Sequence, residues 1–489
     1  MSLSTSLSIA MTGLTAMSRY TEVTSGNISN ALTEGYARRT LELGSSVVGY
    51  NGSGVQVNDI SRFVDTQLLN DLRLSYGETA LSEERANFYI DLEDLLGSPE
   101  TDGSLSALVA EFEATLVSAS NNPGSDAFLL TMVDAATALS NKLNEANDTI
   151  QEARMRADQQ ISTAVDFVNT ALVRIQELNE EITRQESTGY DASALYDQRQ
   201  LLVDEVADII PVKELERDFG QIALMTPNGT FLLDRKPATL SFNPVGFITA
   251  DMSLSAGSLG GLSINGIAVD FNGTINPIDG GRLQGYFEVR DDLAVKEQEN
   301  LDAMTRDLIE RFQDPAVDPS LVAGEAGLFT DLGADHDLTN PLDELGLADR
   351  IRVNPAVDPA QGGSLSAIRD GLGAAATARE LGDATVIQNM LDALSVSRVP
   401  VSGGFSGASR TFSGLASEFG SIVGVERLNF EQRNVFASIK AGELLVELQR
   451  DAVDTDQELQ TLLIVEQAYA ANARVIQTVD SLIQRLLEI

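Results

Sequence analysis

Apolar residues recur in alternating steps of four and three at both ends of this chain. At one end the row is Leu3, Leu7, Ala10, Leu14, Met17, Thr21, Thr24 and Ile28; at the other it is Leu462, Val465, Tyr469, Asn472, Ile476, Val479, Ile483 and Leu486. That spacing keeps one helix face on a single seam, as in coiled coils. Two amphipathic helices are therefore predicted, brought together as a pair and offering a surface to neighbouring copies. The burial one row supplies falls short of the entropy lost in ordering its helix, and Thr21, Thr24 and Asn472 weaken the seams further. The expectation is that the ends are frayed in the monomer and order on assembly; the plainer alternative is a pair that closes one domain. Asn472 is placed to fix register, as one buried polar residue does in coiled coils, or else is a solvated asparagine.

Between the ends the pattern changes several times. Asn27, Asn30 and Gly35 end the first helix. Residues 41–60 read as extended, with Gly44, Gly49, Gly52 and Gly54 punctuating β-branched pieces. A long helical tract starts near Phe63 and breaks at Gly97-Ser98-Pro99 and again at Asn121-Asn122-Pro123-Gly124, where glycine and proline are costly in a helix. From Ser125 to Glu186 there is neither proline nor glycine. A helix of that length extends about 90 Å and must pack against another element; Glu152, Arg154, Arg156 and Asp158 read as its solvated face.

Residues 220–281 turn β-like. Asn228-Gly229 between β-rich flanks is a hairpin signal, and further short strands fall around residues 238–242, 262–266 and 267–271. Helix returns over 283–312, residues 314–407 are loop-rich, and helix resumes near Phe412. The fold class predicted is mainly α with an inserted β domain.

Composition narrows the chemistry. The net charge is −40, with five lysines, so phosphate backbones and anionic membranes are poor partners. There is no cysteine, which excludes disulfides, zinc–thiolate sites and thiol nucleophiles. His336 is the single histidine; that removes multi-histidine metal centres, and it reads as a solvated loop residue. No apolar run approaches the roughly eighteen residues that span a bilayer. The first basic residue is Arg19, so the start does not read as a Sec-type signal peptide, and export would need another route. The glycines of residues 257–270 lack a Walker lysine and a dinucleotide fingerprint. Asp331, Asp335, Asp337, Asp343 and Glu344 crowd one loop as a calcium candidate without EF-hand order. The sequons at Asn27, Asn228 and Asn272-Gly273-Thr274 carry no weight. No cofactor, metal or catalytic residue is nominated. An exported peptidoglycan hydrolase with a carboxylate pair hidden in 190–407 is the alternative from another class.

The terminal motifs carry a resemblance. MTGL, NISN and GYARRT are similar to the small-residue helix, Asn-Ile-x-Asn element and Gly-Tyr-x-Arg turn of bacterial flagellar axial proteins, with Gly26 where that family often has Asn or Asp. ALYDQRQLLVDEVADIIPV resembles a Leu-x-Asp-x-Arg-Asp-x-Leu-Val segment, with Gln200 replacing the second aspartate. Followed by the Asn-Gly-Thr hairpin, it resembles the hook-associated protein 1 family rather than flagellin or the hook protein. GGRLQGYFEVRDDL resembles the family's Gly-Gly-x-Leu helix entry. The C-terminal helix matches closely, including Glu466-Gln467-Ala468-Tyr469 and Ala473-Arg474-Val475-Ile476; Asp454, Thr455 and Gln457 depart from the family's run just before it.

The resemblance implies a structural junction ring between hook and filament, or else another axial subunit, of hook or filament, and type III export to the extracellular flagellum. It implies a discontinuous, multi-domain chain. Residues 1–40 with 445–489 would form a terminal coiled-coil core, 41–189 with 283–444 an elongated helical domain, and 190–282 an outer β-rich domain. The partners implied are other copies, the hook protein, the second junction protein and an export chaperone on the C-terminal helix, with no nucleic acid and no membrane insertion.

Overall fold

A computed structural model describes residues 3–33, 35–48, 51–271, 276–337 and 339–487. Gly49 and the Asn272-Gly273-Thr274 triplet lie outside the described residues. The chain opens with α1 (Leu3–Ser29) and an antiparallel hairpin, β1 (Arg39–Val48) and β2 (Asn51–Arg62), whose register shifts at two points. Such bulges bend and twist a two-stranded ribbon, and the hairpin lies along α1. At Gly54 (φ +116°) a Cβ would come within 2.1 Å of Thr12 Oγ1, so the ribbon meets the helix through bare backbone.

The helical body follows. Asp65 caps α2 (Thr66–Leu96) by accepting from the Leu68 amide at 2.9 Å, and Gly97, at positive φ, returns its amide to Glu93 O at 2.8 Å. Ser104 caps α3 (Leu105–Asn121) in the same way. Next comes α4 (Asp126–Ser187), 62 residues long and about 93 Å in extent. Its long apolar face is what the other elements cover. α5 (Ser193–Ile209) packs on it, so the segment expected as β-rich begins with a helix.

The small sheets also lie against α4. One runs β3 (Lys213–Glu216), β4 (Ile222–Met225), β5 (Phe231–Asp234), β6 (Lys236–Pro237); the other runs β7 (Leu240–Ser241), β8 (Ser263–Ile264), β9 (Ile267–Ala268). Two asparagines of α4 act as surrogate strand edges. Asn169 donates to Leu240 O at 2.8 Å and accepts from Leu240 N at 2.9 Å, while Asn179 bonds both backbone groups of Ile222. The β4–β5 turn has Gly229 at φ +91°, as the Asn-Gly signal requires.

α6 (Gly281–Glu288) enters through two positive-φ glycines, and a Cβ on Gly281 would lie 2.3 Å from Ile209 O. A wide π turn over Val289–Leu293 leads into α7 (Ala294–Gln313). The loop-rich stretch then holds β10 (Phe329–Asp331), α8 (Leu347–Arg350), β11 (Ile351–Val353), α9 (Ala367–Asp370) and α10 (Thr385–Ser395). It is no surface appendage: Phe329 packs its ring 5.6 Å from Phe112 and 5.1 Å from Phe312. α11 (Phe412–Arg450) runs antiparallel to α2, tied by Arg427 to Glu93 and by Lys440 to Glu78. After an Asp454 cap, α12 (Thr455–Leu487) returns to pair antiparallel with α1. The fold is mainly α with an inserted β portion.

Two expectations fail here. Arg154 and Asp158 are buried, not solvated; Glu152 and Arg156 are exposed. Asp158 pairs with the fully buried Arg290 at 2.6 Å, and Arg154 donates to the carbonyls of Arg290, Thr249 and Met252. The β7–β9 region lies over this stretch of α4, and its backbone carbonyls give the charge somewhere to go. His336 is also buried, with neither ring nitrogen hydrogen-bonded, because the 314–411 stretch folds back on α7.

Candidate assembly interface

The two terminal rows face each other along α1 and α12. Ala10, Thr24, Val465 and Val479 are buried in the seam. Leu3, Leu7, Leu14, Met17, Thr21, Ile28, Leu462, Asn472, Ile476 and Ile483 are half-buried, and Tyr469 and Leu486 are exposed. At the middle of the seam Asn472 sits over Gly13. A Cβ on Gly13 would lie 2.9 Å from both terminal atoms of the amide, whose nitrogen donates back to Ala468 O at 3.1 Å. The knob and its hole are thus a polar residue and a glycine.

The turn after α1 is organised by Asn27, itself 1% exposed. Its side-chain nitrogen donates to Arg39 O at 2.9 Å, and its oxygen accepts from the Tyr36 hydroxyl at 2.9 Å and the Arg39 amide at 3.0 Å. The Arg39 guanidinium lies 4.7 Å from the Tyr36 ring centroid. Burial raises the Tyr36 hydroxyl pKa, opposed by Arg39 and assisted by Asp197 and Glu458, so this phenol stays protonated and donates.

Two ion-pair groups tie the turn to distant parts of the chain. Arg38 donates to Glu458 at 2.8 Å, and that carboxylate's side chain is 4% exposed at the start of α12. Asp197 of α5 accepts from Arg39 at 2.8 Å and from Arg62 at 2.7 Å, while Arg62 also reaches Gln200. The segments GYARRT and LYDQRQ, far apart in sequence, therefore meet in one latch between terminal pair and body. Beside it opens a polar cleft of about 1370 Å³, whose walls include Arg19, Arg62, Tyr190 and Tyr196.

Periodicity named the seam but missed Asp197, Glu458 and Gly13. A signal existed for Glu458: it lies four residues before Leu462, on the seam itself, where an acid demands a partner. Arg38, Arg39 and Arg62 likewise flank the hairpin of a strongly acidic chain.

Apolar surface remains uncovered near these helices. On α11 the side away from α2 exposes Val425, Leu428, Val435, Phe436, Ile439 and Val446; α12 exposes Leu463, Ile464, Val475 and Leu482. No helix among the described residues is long and apolar enough to cross a membrane. The acidic loop also differs from a cation site. Asp331 is held by Arg350 at 2.8 and 3.0 Å, and Glu344 by Arg306 and Ser402. Among the described residues no group of three or more His, Cys, Asp or Glu is arranged to hold a metal ion.

Comparison with known proteins assigns the class. Residues 89–315 match the family model described as flagellar hook-associated protein FlgK helical domain, and residues 448–489 match that described as flagellar basal body rod FlgEFG protein C-terminal. One covers much of the body and the other α12, so separate segments both point to flagellar hook and rod proteins. Flagellar hook-associated protein 1 of Bacillus subtilis (strain 168) is 23% identical, over 98% of this chain and 97% of its own length. That of Salmonella typhimurium is 27% identical over 47% of this chain and 42% of its own length. The flagellar hook junction protein FlgK of Burkholderia pseudomallei shares the fold, with TM-score 0.57 and 14% identity over 78% of this chain and 99% of that one. Along nearly its whole length the chain is similar to flagellar hook-associated protein 1.

Proposed function

We propose that this chain is a structural subunit of the bacterial flagellum, forming an adaptor ring between hook and filament. The observation that carries this is the similarity to a hook-associated protein 1 along 98% of the chain, in a molecule whose two ends fold into one helix pair with apolar surface to spare. The chain reaches its site outside the cell through the flagellar type III apparatus and performs no catalysis. Its neighbours are further copies, the hook protein and the second junction protein, and an export chaperone holds the C-terminal helix beforehand. The terminal pair (1–40 with 445–489) forms the axial core, the helical segments 41–189 and 283–444 surround it, and 190–282 faces outward.

A second reading is another axial subunit of hook or rod, favoured by the match of residues 448–489 to a rod-protein C-terminal model. One experiment separates them: electron microscopy of a deletion strain, with flagellin assayed in the medium. Hooks without filaments and flagellin secreted as monomer are the expected result. Loss of the hook itself would favour the second reading, and normal filaments would sink both.

A further inference from the structure

The seam on α12 is taken up by α1 within one chain, yet α12 carries a second row. Ile464, Ala468, Ala471, Val475, Thr478 and Leu482 follow steps of four, three, four, three and four. This row lies about 100° round the helix from the seam. Its large members are open, with Ile464 67%, Val475 45% and Leu482 44% exposed. A helix with one partner needs one seam. A second with the same spacing specifies a second helix, and among the described residues no helix of the same chain covers it.

α1 and β2 together offer a complementary surface. An open groove of about 560 Å³ is lined by Leu7, Met11 and Thr15 on α1 and by Val55 and Val57 on β2. Thr12 and Thr15 donate their hydroxyls to α1's own carbonyls, Ile9 O at 2.8 Å and Met11 O at 3.1 Å. Covering the groove therefore strands neither hydroxyl away from water.

Charge does not oppose this contact. The chain carries −40 overall, but residues 1–40 hold three basic and two acidic side chains, and residues 455–487 two basic and four acidic. Two copies repel little where these segments meet. A closed ring also needs two different faces per subunit, since identical faces make only two-fold pairs.

We infer that the second row of α12 in one copy seats in the α1–β2 groove of the next copy, head to tail. This rests on the ring reading above and says which faces form the ring.

The cysteine-free sequence makes the test direct. Met11→Cys is combined in turn with Ile464→Cys, Val475→Cys and Leu482→Cys, and isolated flagella are oxidised with copper phenanthroline. At least one double variant is expected to give a ladder of covalent multimers, and the single variants none. Dimers from the α12 single variants alone would overturn the contact, as would flagella that contain the double variants but yield no cross-link. A second variant guards against failed incorporation: Val475→Glu should keep the denaturant midpoint of the purified chain yet be absent from flagella. Its normal incorporation would overturn the inference. If the unmodified chain is itself missing from flagella, the ring reading fails, apart from this contact.

Discussion

α4 and α12 are both long amphipathic helices, and they use their apolar residues in opposite ways. Of the 62 residues of α4, 26 are buried; of the 33 of α12, the buried ones are Glu458, Val465 and Val479. α4 belongs to a contiguous core running from Phe88 to Val423 that includes both small sheets. None of that core comes from α1, the β1–β2 hairpin or α12. One helix is finished by its own chain. The other keeps much of its apolar surface exposed. The body and the terminal pair should then respond differently to substitution.

The largest difference is expected in the body. Phe112 is fully buried, with ring centroids 5.9 Å from Phe312 and 5.6 Å from Phe329. Phe112→Ala should cost about 3–5 kcal/mol and lower the denaturant midpoint of the purified chain. Val479→Ala on α12 should leave that midpoint in place. Equal shifts from both would mean that pair and body unfold as one unit, and the contrast drawn above would fall.

Asp197 tests the boundary between the two regions. Asp197→Ala leaves Arg39 and Arg62 without their shared carboxylate, at about 1.5–3 kcal/mol for hydrogen bonds to a charged group. The loss should fall on the latch, so limited proteolysis should cut the α1 and hairpin segment faster while α4 stays intact. Unchanged cleavage would show that Asn27 and the seam hold the turn unaided.

How far the sequence foretold this contrast follows from what sets each element. α4 was legible to within one or two residues because its ends are proline–glycine and threonine–glycine punctuation and its period is unbroken. The pairing of α1 with α12 within the chain was legible because each helix writes a simple 3–4 row on the face it turns to the other. α5 was missed: residues 193–209 were given no helix of their own and fell inside the 190–282 domain that the resemblance implied to be β-rich. Arg154 and Asp158 were misread because a buried charge paired across the fold looks, along the chain, like a solvated one. The second row of α12 was overlooked because alanine and threonine supply half of it. The Asp197 latch joins residues 158 and 135 apart in sequence, and no local pattern encodes that.

A pH dependence should also belong to the body. Burial pushes the Asp302 carboxyl up to about 7, against the N–H donors of Ala348, Gly346 and Gln298, which pull it down. A carboxyl raised in the folded state contributes stability that is fully present below its unfolded value of 3.8 and is lost as pH rises through about 7. Going from pH 8 to pH 6 should therefore restore roughly 1.4 kcal/mol. Other carboxylates of this acidic chain add their own slope, so the control is Asp302→Asn, whose midpoint should change less over that interval. Identical slopes would assign the effect to the overall charge instead.

The smallest effect is the most informative about the seam. Gly13→Ala introduces a Cβ 2.9 Å from the Asn472 amide, while alanine favours the helix by about 1 kcal/mol over glycine. Overpacking costs about 1–3 kcal/mol, so the single variant should weaken the pair slightly, read as faster proteolysis of α1. Removing the knob reverses the sign. In Gly13→Ala with Asn472→Ala the clash is gone and the propensity gain remains, so α1 should become more resistant than in the unmodified chain. The register should loosen at the same time, because two alanines fit opposite several neighbours where one amide fits opposite one glycine. A double variant that is both more resistant and normally incorporated into flagella would deny Asn472 any role in register. Greater resistance with poor incorporation would mean that the terminal pair trades stability for a fixed alignment, which the body, closed on itself, has no reason to do.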